Sequence, residues 1–150
     1  MKSFAIFGLG KMGGNMARRL ARGGVRPVLF DQDAALTAAL AQEIGCTAGA
    51  SPAHAILQLT SPCVVWLMLP SGAATEDMIT RLAPLLRAGD VLVDGANSTY
   101  KDAIRRAASL KSVGVESWTP VSPAAFMAWP TVFCHARGQE GIWHRRGGRQ

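Results

Sequence analysis

The 150-residue sequence has few of the residues that staple or anchor a small fold. It holds three cysteines, Cys46, Cys63 and Cys134, with no Cys-x-x-Cys spacing, and an odd number cannot all pair. A reducing cytoplasm is therefore the expected location. Cys63 opens an apolar run and reads as a small core residue. The histidines, His54, His135 and His144, stand at no ligand spacing from the cysteines, so no metal is expected. No apolar run approaches the ~20 residues needed to cross a bilayer, and no membrane partner is expected. Met1-Lys2 leads directly into a strand-like run, so no secretory leader is expected either. Acidic residues are also scarce, ten Asp and Glu against sixteen Lys and Arg, for a formal net charge of +6. Such a balance raises nucleic acid as a partner. The arginines, however, fall in separate groups (Arg18, Arg19 and Arg22; Arg105 and Arg106; Arg145, Arg146 and Arg149) with no aromatic platform between them. Solvated helix faces account for them, and no nucleic-acid partner is expected.

What remains is 49% apolar and 17% charged, the composition of one globular domain large enough to bury a core. The chain is organised around its first thirty-one residues. Lys2 to Phe7 is a short apolar run, Gly8-Leu9-Gly10-Lys11-Met12-Gly13 follows at once, a helical pattern runs from about Met12 to Arg22, and a second apolar run from Val25 to Phe30 ends on Asp31. Strand, glycine turn, helix, strand and acid, in that order, form the dinucleotide-binding fingerprint. Gly8 lets the backbone turn sharply out of the strand, Gly10 leaves room for a pyrophosphate, and Gly13 lets the helix pack closely. The helix N-terminus, at Lys11 and Met12, offers N–H groups and a partial positive charge to phosphate. Asp31 lies where a carboxylate accepts from the adenosine ribose hydroxyls. It would repel a 2′-phosphate, and Arg26 lies upstream of it, so NAD is expected over NADP.

Downstream, helical and strand patterns alternate. Asp33 to Ile44 is helical with Gly45 as its stop, and Cys46 to Ala48 is a short strand. Ser51-Pro52 starts a helix that runs to about Leu59, and Cys63 to Leu69 is a continuous apolar run of the kind found in buried parallel strands. Thr75 to Leu86 is helical, Val91 to Val93 is a strand, and Thr99 to Lys111 is a charged helix closed by Gly114. The expected fold is α/β, a Rossmann-type doubly wound parallel sheet. Two further loops fall at strand ends. Leu69-Pro70-Ser71 reads either as an ordinary strand-to-helix turn or as backbone facing a nicotinamide ribose. In Asp94-Gly95-Ala96-Asn97-Ser98, Asn97 either positions a hydroxyl or carboxamide or, like Ser98, caps the next helix.

Taken together, GLGKMGGNMARRL, VVWLMLPSG, TEDMI and LAPLLRAGDVLVDGANSTYKDAIRR resemble 6-phosphogluconate dehydrogenases, especially the shorter NAD-type decarboxylating enzymes, and more broadly the β-hydroxyacid dehydrogenases. The resemblance covers about residues 1–116. It implies that Gly8, Leu9, Gly10, Lys11, Met12 and Gly13 bind the pyrophosphate, that Asp31 binds the adenosine ribose, that Leu69, Pro70 and Ser71 line the nicotinamide side, and that Asn97 touches both nicotinamide and substrate. The family writes this last motif Asp-Gly-Gly-Asn-Ser, and Ala96 departs from it by one methyl. The implied reaction is oxidation of 6-phosphogluconate by hydride transfer, followed by loss of carbon dioxide to give ribulose 5-phosphate in the pentose phosphate pathway. The family's catalytic lysine and glutamate lie beyond the cofactor domain, as does the helical domain that forms most of the homo-oligomer interface. Cofactor binding without turnover is the expectation for these 150 residues. Two other readings stand. One is a cofactor domain acting on a short hydroxyacid such as 3-hydroxyisobutyrate. The other is a non-catalytic nucleotide-binding or interaction module.

After Glu116 the texture changes. Trp118, Trp129 and Trp143, three of the four tryptophans, lie here with Pro120, Pro123 and Pro130, and neither period 2 nor period 3.6 is sustained. Restoring one base after the Glu116 codon permits the reading Phe-Val-Asp-Ala-Gly-Val-Ala-Gly-Gly, which is the family's own continuation. The expectation is therefore a cofactor domain over 1–116, cut near the sixth strand of its sheet, and a frameshifted, irregular and disordered tail over 117–150.

Overall fold

The computed structural model describes residues 3–96 and 99–119. Its six strands are β1 (Ser3–Phe7), β2 (Val28–Phe30), β3 (Thr47–Ala48), β4 (Cys63–Leu67), β5 (Val91–Asp94) and β6 (Glu116–Trp118). They form one sheet in the order β3-β2-β1-β4-β5-β6, every pair parallel. This is the doubly wound order expected from the alternating pattern, and its strand order reverses between β1 and β4. The helices α1 (Lys11–Arg22), α2 (Ala34–Ile44), α3 (Pro52–Leu57), α4 (Ala73–Leu82) and α5 (Tyr100–Lys111) supply the crossovers.

Burial on both faces explains why the strands read as unbroken apolar runs. Phe4 and Ile6 of β1, with Leu29, Val64, Trp66 and Val93, face Met16 and Leu20 of α1 and Leu40 of α2. The alternate residues Ala5 and Phe7, with Val65, Leu67 and Leu92, face Met78, Ile79 and Leu82 of α4 and Leu110 of α5. Period 2 still operates in each strand, but both phases are apolar because helices cover both sides.

The helix ends follow local chemistry. Asp33 Oδ1 accepts the Leu36 N–H at 3.0 Å to start α2, and Gly45 ends it at φ 66°. Ser51 Oγ accepts the His54 N–H at 3.0 Å, with Pro52 in the first helical position of α3. Several boundaries differ from the sequence reading. β2 begins at Val28 rather than Val25, because Pro27 has no N–H for the ladder and the Val25 N–H is spent on the Leu20 carbonyl at 3.0 Å. α3 ends at Leu57, and β4 ends at Leu67. α4 stops at Leu82 and tightens into a 3-10 turn over Ala83–Leu85, since Pro84 cannot continue an α-helical ladder. The cap of α5 is Thr99, which accepts the Asp102 N–H at 3.4 Å.

The sheet also crosses the expected boundary at Glu116. Val91 pairs with Glu116, Leu92 with Ser117 and Val93 with Trp118. Trp118 packs edge-on against Trp66, with ring centroids 6.4 Å apart and planes at 81°. Ser117 and Trp118 thus belong to the sheet rather than to an irregular tail. The pairing needs only three residues of extended backbone, too short a stretch to show as a period in the sequence. The rest of the expected tail, residues 120–150, lies outside the described residues.

Candidate functional site

Parallel pairing in register brings the strand ends to one edge. Phe7 is level with both Phe30 and Leu67, and Leu67 with Asp94. The ladder continues one residue further into each loop. The Gly8 N–H donates to the Phe30 carbonyl at 2.9 Å, Met68 N–H to Phe7 at 2.7 Å, and Gly95 N–H to Leu67 at 2.8 Å. The glycine turn and the loops after β2, β4 and β5 therefore form one continuous rim at the carboxyl edge, where ligands of this fold class bind.

Three glycines in the turn differ in what surrounds them. Gly8 takes φ +97°, and a Cβ there would run into the Met68 carbonyl. A Cβ on Gly13 would overlap the Gly8 carbonyl oxygen and press on Met68 Cβ at 3.3 Å. Both are fixed by the approach of α1 to the strand ends. Gly10 is the opposite case, with nothing within 4 Å of where its Cβ would stand. It caps α1 with no side-chain hydrogen bond, in an ordinary extended conformation (φ −62°, ψ −167°). The protein itself therefore does not require glycine at position 10, but a group lying on the turn would. The first turn of α1 holds no acidic residue, and Arg19 and Arg22 fall in its last turn, so the helix N-terminus is left electrically open to an anion.

Asp31, half-buried at the end of β2, is fastened to the same turn. Its Oδ2 accepts the Leu9 N–H at 2.7 Å and its Oδ1 the Asp33 N–H at 2.9 Å. A carboxylate has about four lone-pair directions, so two remain for ligand hydroxyls. Leu9 itself braces the site from behind, with its side chain in the core and its N–H given to Asp31. Lys11 and Met12 are exposed at the first turn. Beside Asp31 lies a cavity of about 510 Å³ whose lining includes Gln32, Thr37, Ser51, Pro52 and Arg81. Sequence reasoning had not placed Arg81 there, because α4 brings it across the sheet from fifty residues downstream of Asp31.

On the other side of the turn, Leu69 is half-buried and lies 3.1 Å from the position a Gly8 Cβ would take, while Pro70 and Ser71 are exposed. Buried Thr75 holds this loop by donating its hydroxyl to the Pro70 carbonyl at 2.8 Å. Next along the rim, Asp94 Oδ1 accepts the Ala96 N–H at 3.0 Å, and the Ala96 methyl is buried within the loop. Gly95 has no spare room, since a Cβ would stand 2.5 Å from Met68 Sδ and 2.6 Å from Trp66 Nε1. Asn97 and Ser98 lie outside the described residues.

Buried charge lies directly behind these two loops. Arg106 Nη1 donates to Asp94 Oδ2 at 2.8 Å, and Arg106 Nε to Glu76 Oε1 at 2.7 Å. Arg105 and Asp102 extend the network at the surface. Partial burial pushes the Glu76 carboxyl up, but hydrogen bonds from Arg106 and Arg105 outweigh it and hold the group below its ordinary value of 4.5. The sequence signal for this network was present in the paired arginines, which read as solvated; only Arg105 is.

The chain matches, over residues 3–128, the family described as the NAD binding domain of 6-phosphogluconate dehydrogenase. It belongs to that family. The match continues past Glu116 and takes in β6. An NAD(+)-dependent, decarboxylating 6-phosphogluconate dehydrogenase from Haloferax volcanii is 34% identical over 123 residues, 79% of this chain and 40% of that protein. Among solved structures, the Mycobacterium tuberculosis 3-hydroxyisobutyrate dehydrogenase with L-serine superposes with a TM-score of 0.71 at 25% identity, covering 79% of this chain and 40% of that one. The Aspergillus terreus reductive aminase in complex with NADPH and ethyl levulinate gives 0.69 at 28% identity with the same coverage. The chain spans between 12% and 40% of the length of the curated relatives it matches. It is thus an NAD(P)-binding domain of the kind shared by 6-phosphogluconate and 3-hydroxyisobutyrate dehydrogenases. No helix among the described residues is long and apolar enough to cross a membrane.

Proposed function

We propose that this chain is the cofactor-binding domain of a cytoplasmic dehydrogenase acting on 6-phosphogluconate, that it prefers NAD, and that these 150 residues bind the cofactor without oxidising substrate. The observation that carries the reading is Gly10. Its Cβ position is empty while those of Gly8 and Gly13 are blocked by the protein, so the turn keeps open the one place where a pyrophosphate would lie. The residues present fit the group. Backbone N–H groups at Lys11, Met12 and Gly13 would face the diphosphate, and the two remaining acceptor directions of Asp31 would take the adenosine ribose hydroxyls. Leu69 to Ser71 and Asn97 would flank the nicotinamide, and Asn97 would reach the substrate. When bound, the nicotinamide supplies a hydride acceptor. The chain's own residues bind, orient and shield it. Supporting the substrate class are the relatives named as 6-phosphogluconate dehydrogenases; supporting NAD is the carboxylate at Asp31, where a 2′-phosphate would meet like charge.

Titration of the purified chain with NADH and NADPH, followed by nicotinamide fluorescence, tests this. NADH is expected to bind more tightly by about tenfold, and Asp31→Asn to erase most of that preference. Equal affinity in the wild type would remove the assignment to NAD, and absence of binding by either would remove the cofactor reading. A second reading, a short-hydroxyacid dehydrogenase, is favoured by the likeness to the 3-hydroxyisobutyrate enzyme. It would gain if 3-hydroxyisobutyrate, and not 6-phosphogluconate, altered the fluorescence of bound NADH.

A further inference from the structure

One side chain joins the loops on the β4–β5 side of the rim. Arg106 is 4% exposed and Asp94 2% exposed, so the pair is fully withdrawn from water. Asp94 is the last residue of β5, and its other oxygen fixes the loop that follows through the Ala96 N–H. Glu76, the second acceptor of Arg106, lies in the first turn of α4, where the loop after β4 enters its helix. A flat guanidinium reaches both carboxylates from different nitrogens and fixes the angle between them, which a single ammonium cannot do. Burying such a pair is costly, and apolar residues of the same volume commonly stabilise a fold as well or better. Its position behind two ligand-facing loops gives it a use that packing alone does not.

Resting on the cofactor reading above, we infer that Arg106 is a positioning residue for the nicotinamide half of the dinucleotide. It sets the loop that starts at Asp94 against the first turn of α4, where the loop after β4 enters its helix. The adenosine half depends instead on the glycine turn and Asp31, which Arg106 does not touch.

ADP-ribose, which has the diphosphate and adenosine but no nicotinamide, separates the two halves. Calorimetric titration of the wild-type chain is expected to show NADH binding more tightly than ADP-ribose. In Arg106→Lys, NADH affinity is expected to fall about tenfold while ADP-ribose affinity stays within about twofold. Glu76→Gln leaves the buried Asp94–Arg106 pair in place and is expected to lower NADH affinity about threefold, again with ADP-ribose unchanged. If Arg106→Lys gives no cooperative thermal transition, Glu76→Gln decides alone. Equal loss for both ligands marks a general structural role and overturns the inference, as does no loss for either. A wild-type chain that binds NADH no better than ADP-ribose also overturns it. A wild-type chain that binds neither ligand overturns the cofactor reading itself.

Discussion

On the β1–β2 side of the rim, the turn is held by backbone. Glycine contacts, a ladder hydrogen bond from Gly8 and two N–H groups on Asp31 hold it, and all of these partners except Asp33, Met68 and Leu69 fall within the first thirty-one residues. On the β4–β5 side the loops are held by side chains. Thr75 holds the loop after β4, and the Arg106 guanidinium holds the one after β5, reaching back from α5 to carboxylates twelve and thirty residues earlier. The first arrangement leaves no room for a side chain at Gly8 or Gly13. The second is fixed by side-chain hydrogen bonds and ion pairs. A ligand that spans the rim would therefore meet one half that tolerates almost no change and another that can be tuned one side chain at a time.

Gly13→Ala should break the β1–β2 side most severely. Its Cβ falls on the Gly8 carbonyl, so helix or strand must move, at a cost of about 3 kcal/mol and a thermal midpoint lower by roughly 10 °C. Gly10→Ala sharpens the point. Its Cβ enters open space, so stability should fall by no more than about 1 kcal/mol, while NADH affinity drops at least about tenfold. Thermal unfolding with and without NADH reads both. Equal destabilisation by the two would refute the division into a packing glycine and a ligand glycine.

Asp94→Ala tests the β4–β5 side. It leaves Arg106 buried with one carboxylate fewer, an expected loss of about 3 kcal/mol in chemical denaturation, and retention of ADP-ribose binding in the folded fraction. Loss of ADP-ribose binding in folded protein would show that the two sides are not separable.

The smallest effect expected is in acid. Asp90, buried at the start of β5, is pushed up by burial. It is brought below its ordinary value of 3.8 by hydrogen bonds from the Ser61 hydroxyl (2.6 Å) and the Arg87 and Cys63 N–H groups (2.8 and 2.9 Å). Its folded-state value is the lower one, so its contribution is complete above the unfolded value and is lost as pH falls through the folded one. Glu76 behaves in the same direction from 4.5. The thermal midpoint should therefore decline below about pH 4.5, and Asp90→Asn should flatten the lower part of that decline. An unchanged slope in Asp90→Asn would exclude the assignment.

Much of this was legible in the sequence where the cause is local. Glycine spacing, the acid at the end of β2, the Ser51-Pro52 start and Gly45 stop act within a few residues of themselves, and the double burial of β4 shows as an unbroken apolar run. The cap of α5 was misread between Asn97 and Ser98 because Thr99, next in line, has the same chemistry. β6 went unread because three residues carry no period and their extended form depends on β5 beside them. Arg106 looked like a surface residue because the carboxylates that bury it come from other elements.

The order of residues by itself determined that a strand, a glycine turn, a helix and an acid follow one another. With that came the α/β class and the glycine turn, since steric limits on φ and on Cβ act at each residue separately. Only the tertiary structure decided that Gly10 faces open space while Gly13 does not, that the sheet reaches Trp118, and that a buried arginine stands behind both β4–β5 loops. Each of these depends on which atoms from distant parts of the chain arrive at the same place, and that is settled by packing.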